Sequence, residues 1–285
     1  MYLAIQALQQ EGPFSLRLLC NIAKISRSSY YKWLSRKPSS RELENQQLSH
    51  AMISLYKKIG GIYEYRRLTL HLRRHTQQRI NHKRIQRLMK LNGIQSVIRR
   101  KRKKYAHSTP QQIADNLLNR EFYAKAPNEK WVTDVTEFKY GNGQKAYLSA
   151  ILDLHDNTIV SYVLGHSNNN QLVFQTVKTA LQVAPGSTPM LHSDQGYQYT
   201  SLSFKKLVDD AKITQSMSRV GRCIDNGPME AFWGTLKCEC YSLHTYNTFE
   251  ELEKGIDDYI YFYNNKRLQE KLNGLSPMEF RTKAA

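Results

Sequence analysis

The chain has 285 residues, with 42 Lys and Arg against 24 Asp and Glu, a formal net charge of +18 at pH 7. Its length suggests about two domains, and 40% hydrophobic residues is enough for a folded core. No apolar run of about 18 residues exists to span a membrane, and Met1 to Gln10 lacks the cationic start and apolar core of a signal peptide, so a cytoplasmic protein is expected.

The charge is unevenly placed. Residues 1–120 carry 25 Lys and Arg against 5 Asp and Glu, a net +20, whereas residues 121–285 carry 17 against 19, a net −2. A basic part joined to a near-neutral part implies a polyanion-binding module attached to something else. Four cysteines (Cys20, Cys223, Cys238 and Cys240) fit a reducing compartment, and Cys238 and Cys240 have no second pair to complete a zinc site.

In chain order, Leu16, Leu19, Ile22 and Ala23 recur at helical spacing, and Ser26 can cap a second helix from Arg27 to Leu34. Arg27 and Lys32 sit there among hydroxyls and aromatics, a face suited to DNA phosphates and base edges. A helical hairpin with a solvated basic face is the alternative. Pro38-Ser39-Ser40 reads as a linker. Arg41 to Lys58 is predicted helical, ending at Gly60-Gly61, and Tyr65 to Arg74 likewise. Asn81 can cap a third helix, His82 to Leu91, with Ile85, Leu88, Met89 and Leu91 marking its buried side. Lys83, Arg84, Arg87 and Lys90 are left for solvent or DNA, making this the better recognition-helix candidate. His71 and His75, four apart, read as surface histidines. The six cations Arg99, Arg100, Lys101, Arg102, Lys103 and Lys104 form a nucleic-acid-binding linker.

From Trp131 the pattern changes. Trp131–Lys139, Ala146–Leu154 and Ile159–Leu164 read as strands of a meander, Gln171–Val183 as a helix, and Pro189–Ser193 as a short strand. A helix Ser203–Ala211 and a strand Ile213–Met217 follow. Gly227-Pro228 opens a last helix, since proline suits the first helical position. The order βββαβαβα predicts an α/β fold, a mixed five-stranded sheet with flanking helices, preceded by an all-α helix–turn–helix region. The expected domains are 1–38, 41–95, a basic linker 96–124, a core 125–245 and a helical extension 246–285.

Three carboxylates stand out. Asp134 lies mid-strand, where aspartate is depleted and charge is costly unless it binds something. Asp194 lies at the C-terminal end of a strand, the usual place for ligands in α/β sheets. Glu230 lies in the first turn of the last helix, with Lys237 two turns on along the same face. Such hard oxygen ligands suit Mg²⁺ or Mn²⁺, and two such ions serve in-line displacement at phosphorus. Glu230 capping its own helix is the bland alternative. Asp153, Asp156 and Asp225 compete for the role, Asp153 most strongly. No G-x-S-x-G elbow and no Gly-rich NTP loop is present, and Tyr197 or Tyr199 is a poor candidate for a nucleophile.

Trp131-Val132-Thr133-Asp134-Val135-Thr136, Leu191-His192-Ser193-Asp194-Gln195-Gly196 and Asp225-Asn226-Gly227-Pro228-Met229-Glu230, followed by Lys237, resemble the Asp–Asp–(35)–Glu signature of retroviral-integrase-like transposases. The likeness is to the second-frame (OrfB) proteins of bacterial insertion sequences. Tyr263-Asn264-Asn265-Lys266-Arg267 and Leu275-Ser276-Pro277 resemble their C-terminal motif. The resemblance implies a ribonuclease-H-like core with Asp134, Asp194 and Glu230 as catalytic residues and as ligands of two Mg²⁺ or Mn²⁺ ions. It also implies Lys237 at the DNA near the cut. The implied activity is cutting element ends and joining the 3′-OH to target DNA. Double-stranded DNA, a second copy of the chain and an upstream-frame protein or fusion are the implied partners, with nucleoid association following. A nuclease of the same fold, or a non-catalytic DNA-binding regulator, is the alternative function.

Overall fold

The computed structural model describes residues 1–12, 14–77, 79–98, 114–219 and 223–284. Met1–Leu55 and Tyr56–Ala285 form separate compact units. In the first, helices α1 (Tyr2–Glu11), α2 (Leu16–Ile22) and α3 (Arg27–Leu34) enclose Ile5, Leu19, Cys20 and Tyr30. Ser26 caps α3 as expected, its Oγ accepting from the Ser29 N–H at 3.1 Å. The turn between the helices passes through Lys24, at φ +54°. Helix α1 is not foreshadowed by the sequence pattern, because it buries a single residue, Ile5, and so carries no apolar stripe. Ile22, expected inside, is 71% exposed. Pro38-Ser39-Ser40 is no passive linker: Ser39 and Glu42 form a reciprocal capping box at the start of α4 (Ser40–Lys58), with Ser39 N–H donating to Glu42 Oε2 and Glu42 N–H to Ser39 Oγ.

In the second unit, α5 (Tyr65–Thr76) and α6 (His82–Leu91) pack through Leu68, Leu72, Ile85, Leu88 and Met89. Asn81 caps α6 by accepting from the Lys83 N–H at 2.9 Å. Leu91, assigned to the buried face, is 74% exposed in the last turn. His71 is half-buried against the Tyr63 ring rather than on the surface, and burial, aided by His75, pushes its imidazole down to about 4.

Five strands form one sheet in the order β3-β2-β1-β4-β5: β1 (Lys130–Tyr140), β2 (Gln144–Asp153), β3 (Ile159–Gly165), β4 (Met190–Ser193) and β5 (Thr214–Met217). The first three are antiparallel, while β4 runs parallel to both β1 and β5. Strand alternation sends Val132 and Phe138 of β1 to one face, covered by α9 (Gly227–Glu239) and α10 (Phe249–Asn265). Trp131 goes to the other face, under α7 (Asn170–Val183) and α8 (Leu202–Asp210). The mixed sheet with flanking helices is the architecture that the element order predicts. A 3-10 turn, Cys223–Asn226, leads into α9 with Pro228 in its first turn.

The C-terminal motif secures this assembly. Asn264 pairs with both backbone groups of Ile159 at 3.0 Å, covering an end of edge strand β3. Arg281 of α11 (Pro277–Ala284) bonds Asp153 and Asp156. Arg267 grips Glu239 through two bonds of 2.8 Å, while Arg67 of α5 and Tyr259 of α10 complete the site. Burial opposes ionisation of Glu239, but the two guanidiniums outweigh it and hold the carboxyl below its usual value. Glu239→Ala leaves buried guanidiniums without their anion, so urea denaturation at pH 7 should show a loss of about 3–5 kcal/mol. A lowered folded pKa stabilises above the unfolded value of about 4.3. The gap between wild type and Glu239→Gln should therefore close as pH falls below about 4.

Candidate active site

Asp134 sits mid-strand on the α9 face of β1, the central strand. Its Oδ1 accepts from the Val135 N–H at 2.8 Å and its Oδ2 from Trp233 Nε1 of α9 at 3.0 Å. Two further bonds lay α9 along β1: Asn226 Nδ2 donates to the Thr133 carbonyl at 3.0 Å, and Lys237 Nζ donates to Thr136 Oγ1. Lys237 also lies over the Phe138 ring, 5.1 Å from its centroid. Residues 226, 233 and 237 thus follow β1 from Thr133 to Phe138, bringing the helix that carries Glu230 alongside the strand that carries Asp134.

Asp194 follows the last residue of β4. Its Oδ1 accepts from the Gly196 N–H at 2.9 Å, closing a tight turn. A Cβ on Gly196 would lie 2.9 Å from that same oxygen and 3.1 Å from Gln198 Oε1, so a methyl group there would push the carboxylate aside. Behind the turn, buried His192 joins β4 to β5 through Ser216 Oγ at 2.8 Å and Ser218 Oγ at 3.0 Å. Ser216 Oγ already accepts the Leu117 and Leu118 N–H groups, so its own proton goes to His192 Nδ1, and His192 Nε2–H donates to Ser218. Burial pushes this imidazole down to about 4, keeping it neutral.

Electrostatics separate Asp134 and Asp194 from their rivals. Burial, then the charge of Asp194, pushes the Asp134 carboxyl well above the usual range, against the pull of the Val135 and Trp233 N–H groups. Asp194 reaches solvent, yet the protein around it also raises its carboxyl, with the Gly196 N–H opposing. Among the described residues neither has a cationic partner. Asp153 and Asp156, in contrast, share Arg281, and Asp225 is held by Arg120 and Arg219 at 2.7 and 2.9 Å. Those ion pairs explain the three competing aspartates as structural. The Arg219 and Arg120 bonds overcome burial and hold Asp225 far below the usual carboxylate range.

Glu230 is exposed in the first turn of α9, with its carboxyl raised by burial. The N-cap residue of this helix, Asn226, makes no side-chain cap bond. Its charge acts on Asp134 more weakly than that of Asp194 does. Among the described residues no three His, Cys, Asp or Glu side chains group closely enough to hold one ion. The structure therefore brings Asp134 and Asp194 together and leaves Glu230 at a further remove on the same side.

Tyr199 is buried with its hydroxyl 3.2 Å from Thr133 Oγ1, and burial, reinforced by Asp134 and Asp194, raises the phenol well above its usual value. A phenol so protected from ionisation is no nucleophile. Sequence reading misses Trp233, Gly196 and Asn226; the Gly-x-Gln stretch after Asp194 is the only local signal for any of them. Of the expected DNA contacts, Arg27 and Lys32 are exposed on α3, and Lys83 and Arg87 are exposed on α6, with Arg84 half-buried. Arg99, Arg100, Lys101, Arg102, Lys103 and Lys104 lie outside the described residues. Lys237 is turned onto β1. A cleft of about 260 Å³ between α5 and residues 267–271 contains none of the three carboxylates.

The chain matches the Integrase core domain family over residues 124–223, a second Integrase core domain family over 230–284, and an HTH-like domain family over 42–102. It is 40% identical over 269 residues to the putative transposase InsK for insertion sequence element IS150 of Escherichia coli K12, covering 94% of each chain. It is 45% identical over 206 residues to an uncharacterized transposase-like protein of Haemophilus influenzae, covering 72% of this chain and 95% of that one. Among solved structures, the HTLV-2 integrase catalytic core domain in complex with magnesium aligns at 18% identity and TM-score 0.43, over 55% of this chain and 98% of that one. The N-terminal helical region and the ribonuclease-H-like sheet follow the same order as these family matches. With similarity running through nearly the full length of both proteins in the IS150 comparison, the chain belongs to the insertion-sequence transposases built on an integrase core.

Proposed function

We propose that the protein is a metal-dependent transposase that cuts one DNA strand at each element end and joins the resulting 3′-OH to target DNA. The observation carrying this reading is the Asp134–Asp194 pair: two carboxylates pushed up by burial, Asp134 further by the charge of Asp194, with no cationic partner among the described residues, beside the helix that bears Glu230. The fully buried aspartates Asp153, Asp156 and Asp225, in contrast, each have an arginine. A donor set of hard carboxylate oxygens fits Mg²⁺ or Mn²⁺, and an added cation favours the ionised form of both groups. Asp134, Asp194 and Glu230 would hold two such ions, which supply charge neutralisation at the phosphate and a more acidic attacking oxygen. A modest approach of Glu230 toward the aspartate pair is required for shared coordination.

The chain's own side chains bind and orient. Lys83, Arg84 and Arg87 on α6, Arg27 and Lys32 on α3, and the block Arg99 to Lys104 hold the phosphate backbone of double-stranded DNA. Lys237 leaves Thr136 to meet the DNA near the cut. Water attacks the first phosphodiester, and the freed 3′-OH attacks the second; one ester replaces another, so no NTP is consumed. Bringing two ends together requires at least two copies of the chain on DNA. In this reading 1–38 and 41–95 bind DNA, 96–124 link, 125–245 carry the chemistry and 246–285 support it. An upstream-frame protein, as partner or fusion, completes end recognition.

Asp134→Asn, Asp194→Asn and Glu230→Gln should each lower strand cleavage and joining on element-end DNA by at least about 100-fold, and EDTA should stop both until Mg²⁺ or Mn²⁺ is added. Asp153→Asn should lower thermal stability while leaving the metal dependence intact; carboxylate variants that cleave like wild type would end the proposal. Gly196→Ala should mimic loss of Asp194, since its methyl group displaces that carboxylate. In EDTA, the double variant Lys83→Ala/Arg87→Ala should reduce the slope of log K against log salt by about 0.9 for each phosphate that is no longer neutralised.

A further inference from the structure

We propose that Trp233 is a positioning residue for Asp134: its indole N–H fixes the carboxylate in the orientation that receives a divalent cation, and ties it to the helix carrying Glu230. This rests on the reading of Asp134, Asp194 and Glu230 as metal ligands. Of the two donors to Asp134, the Val135 N–H is its own chain neighbour and moves with it. Trp233 Nε1 is the donor from another element, at 3.0 Å across 99 residues of sequence. Trp233 is 6% exposed, and its ring packs against Phe232 at 5.1 Å within the core beneath α9, so the indole has little freedom to turn.

The chemistry of the donor matters as much as its place. An arginine here would neutralise Asp134, as Arg281 does Asp153, and would compete with a cation. An indole N–H orients the carboxylate without cancelling its charge, and it has no acceptor with which to bind metal itself. With one donor on each oxygen, both oxygens keep a lone pair for coordination. Trp233 also lies three residues beyond Glu230, and positions three apart share a side of a helix. The bond therefore links the place of the strand carboxylate to that of the helix carboxylate.

The test removes the N–H and keeps the ring. Trp233→β-(3-benzothienyl)alanine substitutes sulfur for the indole nitrogen at nearly constant shape, and Trp233→Phe is the natural companion. Mn²⁺ binding is measured by calorimetry on the full chain without DNA, alongside melting temperature, DNA binding in EDTA, and the kcat and KM of strand cleavage. The isostere should bind Mn²⁺ about 10-fold more weakly or worse and lose kcat with little change in KM. Its melting temperature and its EDTA binding to DNA should match wild type, which a merely structural role does not allow alongside the weaker Mn²⁺ binding. An isostere that binds Mn²⁺ and cleaves like wild type would overturn the inference, provided Asp134→Asn loses both. Equal Mn²⁺ binding by wild type and Asp134→Asn would overturn the metal site, and the role of Trp233 with it.

Discussion

The structure turns on an uncompensated negative charge in the middle of the central strand. A carboxylate in a half-buried sheet is unfavourable unless something balances it, and among the described residues Asp134 meets neutral donors only. The second aspartate, at the end of the adjacent parallel strand, makes matters worse, its charge raising the affinity of Asp134 for a proton. Strand β4 runs parallel to β1, with Val132 paired to His192, so the chain reaches Asp194 two residues further along beside Asp134.

The rest of the second unit holds that arrangement in place. Helix α9 is laid along β1 by Asn226, Trp233 and Lys237, and its far end is clamped by the buried contacts of Glu239 with Arg67 and Arg267. A glutamate at a helix C-terminus opposes the helix dipole, so two guanidiniums and the Tyr259 hydroxyl are needed to keep it charged. Arg67 belongs to α5, so α5 and α9 share one electrostatic anchor. The C-terminal motif belongs to the same scheme: Asn264 pairs with the edge strand, Arg267 holds α9, and Arg281 takes up Asp153 and Asp156 at the end of β2.

Arginine thus sorts the acids of the core into two classes. Where it is present, the carboxylate is a fastening, as at Asp153, Asp156, Asp225 and Glu239. Where it is absent, as at Asp134 and Asp194, the carboxylate stays available. His192 is the neutral counterpart of those fastenings. It is buried with both nitrogens bonded to serines, and it joins β4 to β5 without adding charge beside Asp194.

The sequence alone determined what depends on neighbours a few residues apart. Alternation in β1, the helical period of α7, the Asn81 and Ser26 caps and the Gly227-Pro228 helix start are local, and each element falls within a few residues of its predicted bounds. Asp134 is legible because aspartate is out of place in a β-branched strand, and Asp194 because it closes a strand before glycine. The tertiary structure decided which acids carry a counter-charge and which face each helix presents. By sequence Asp153 is the strongest competitor of Asp134; the structure pairs it with Arg281, 128 residues away. Trp233 gives no sign of its bond to Asp134, and Ile22 and Leu91 fit an apolar stripe yet face solvent. Periodicity reports the repeat of a single element, whereas charge balance and exposure depend on which distant elements pack against it.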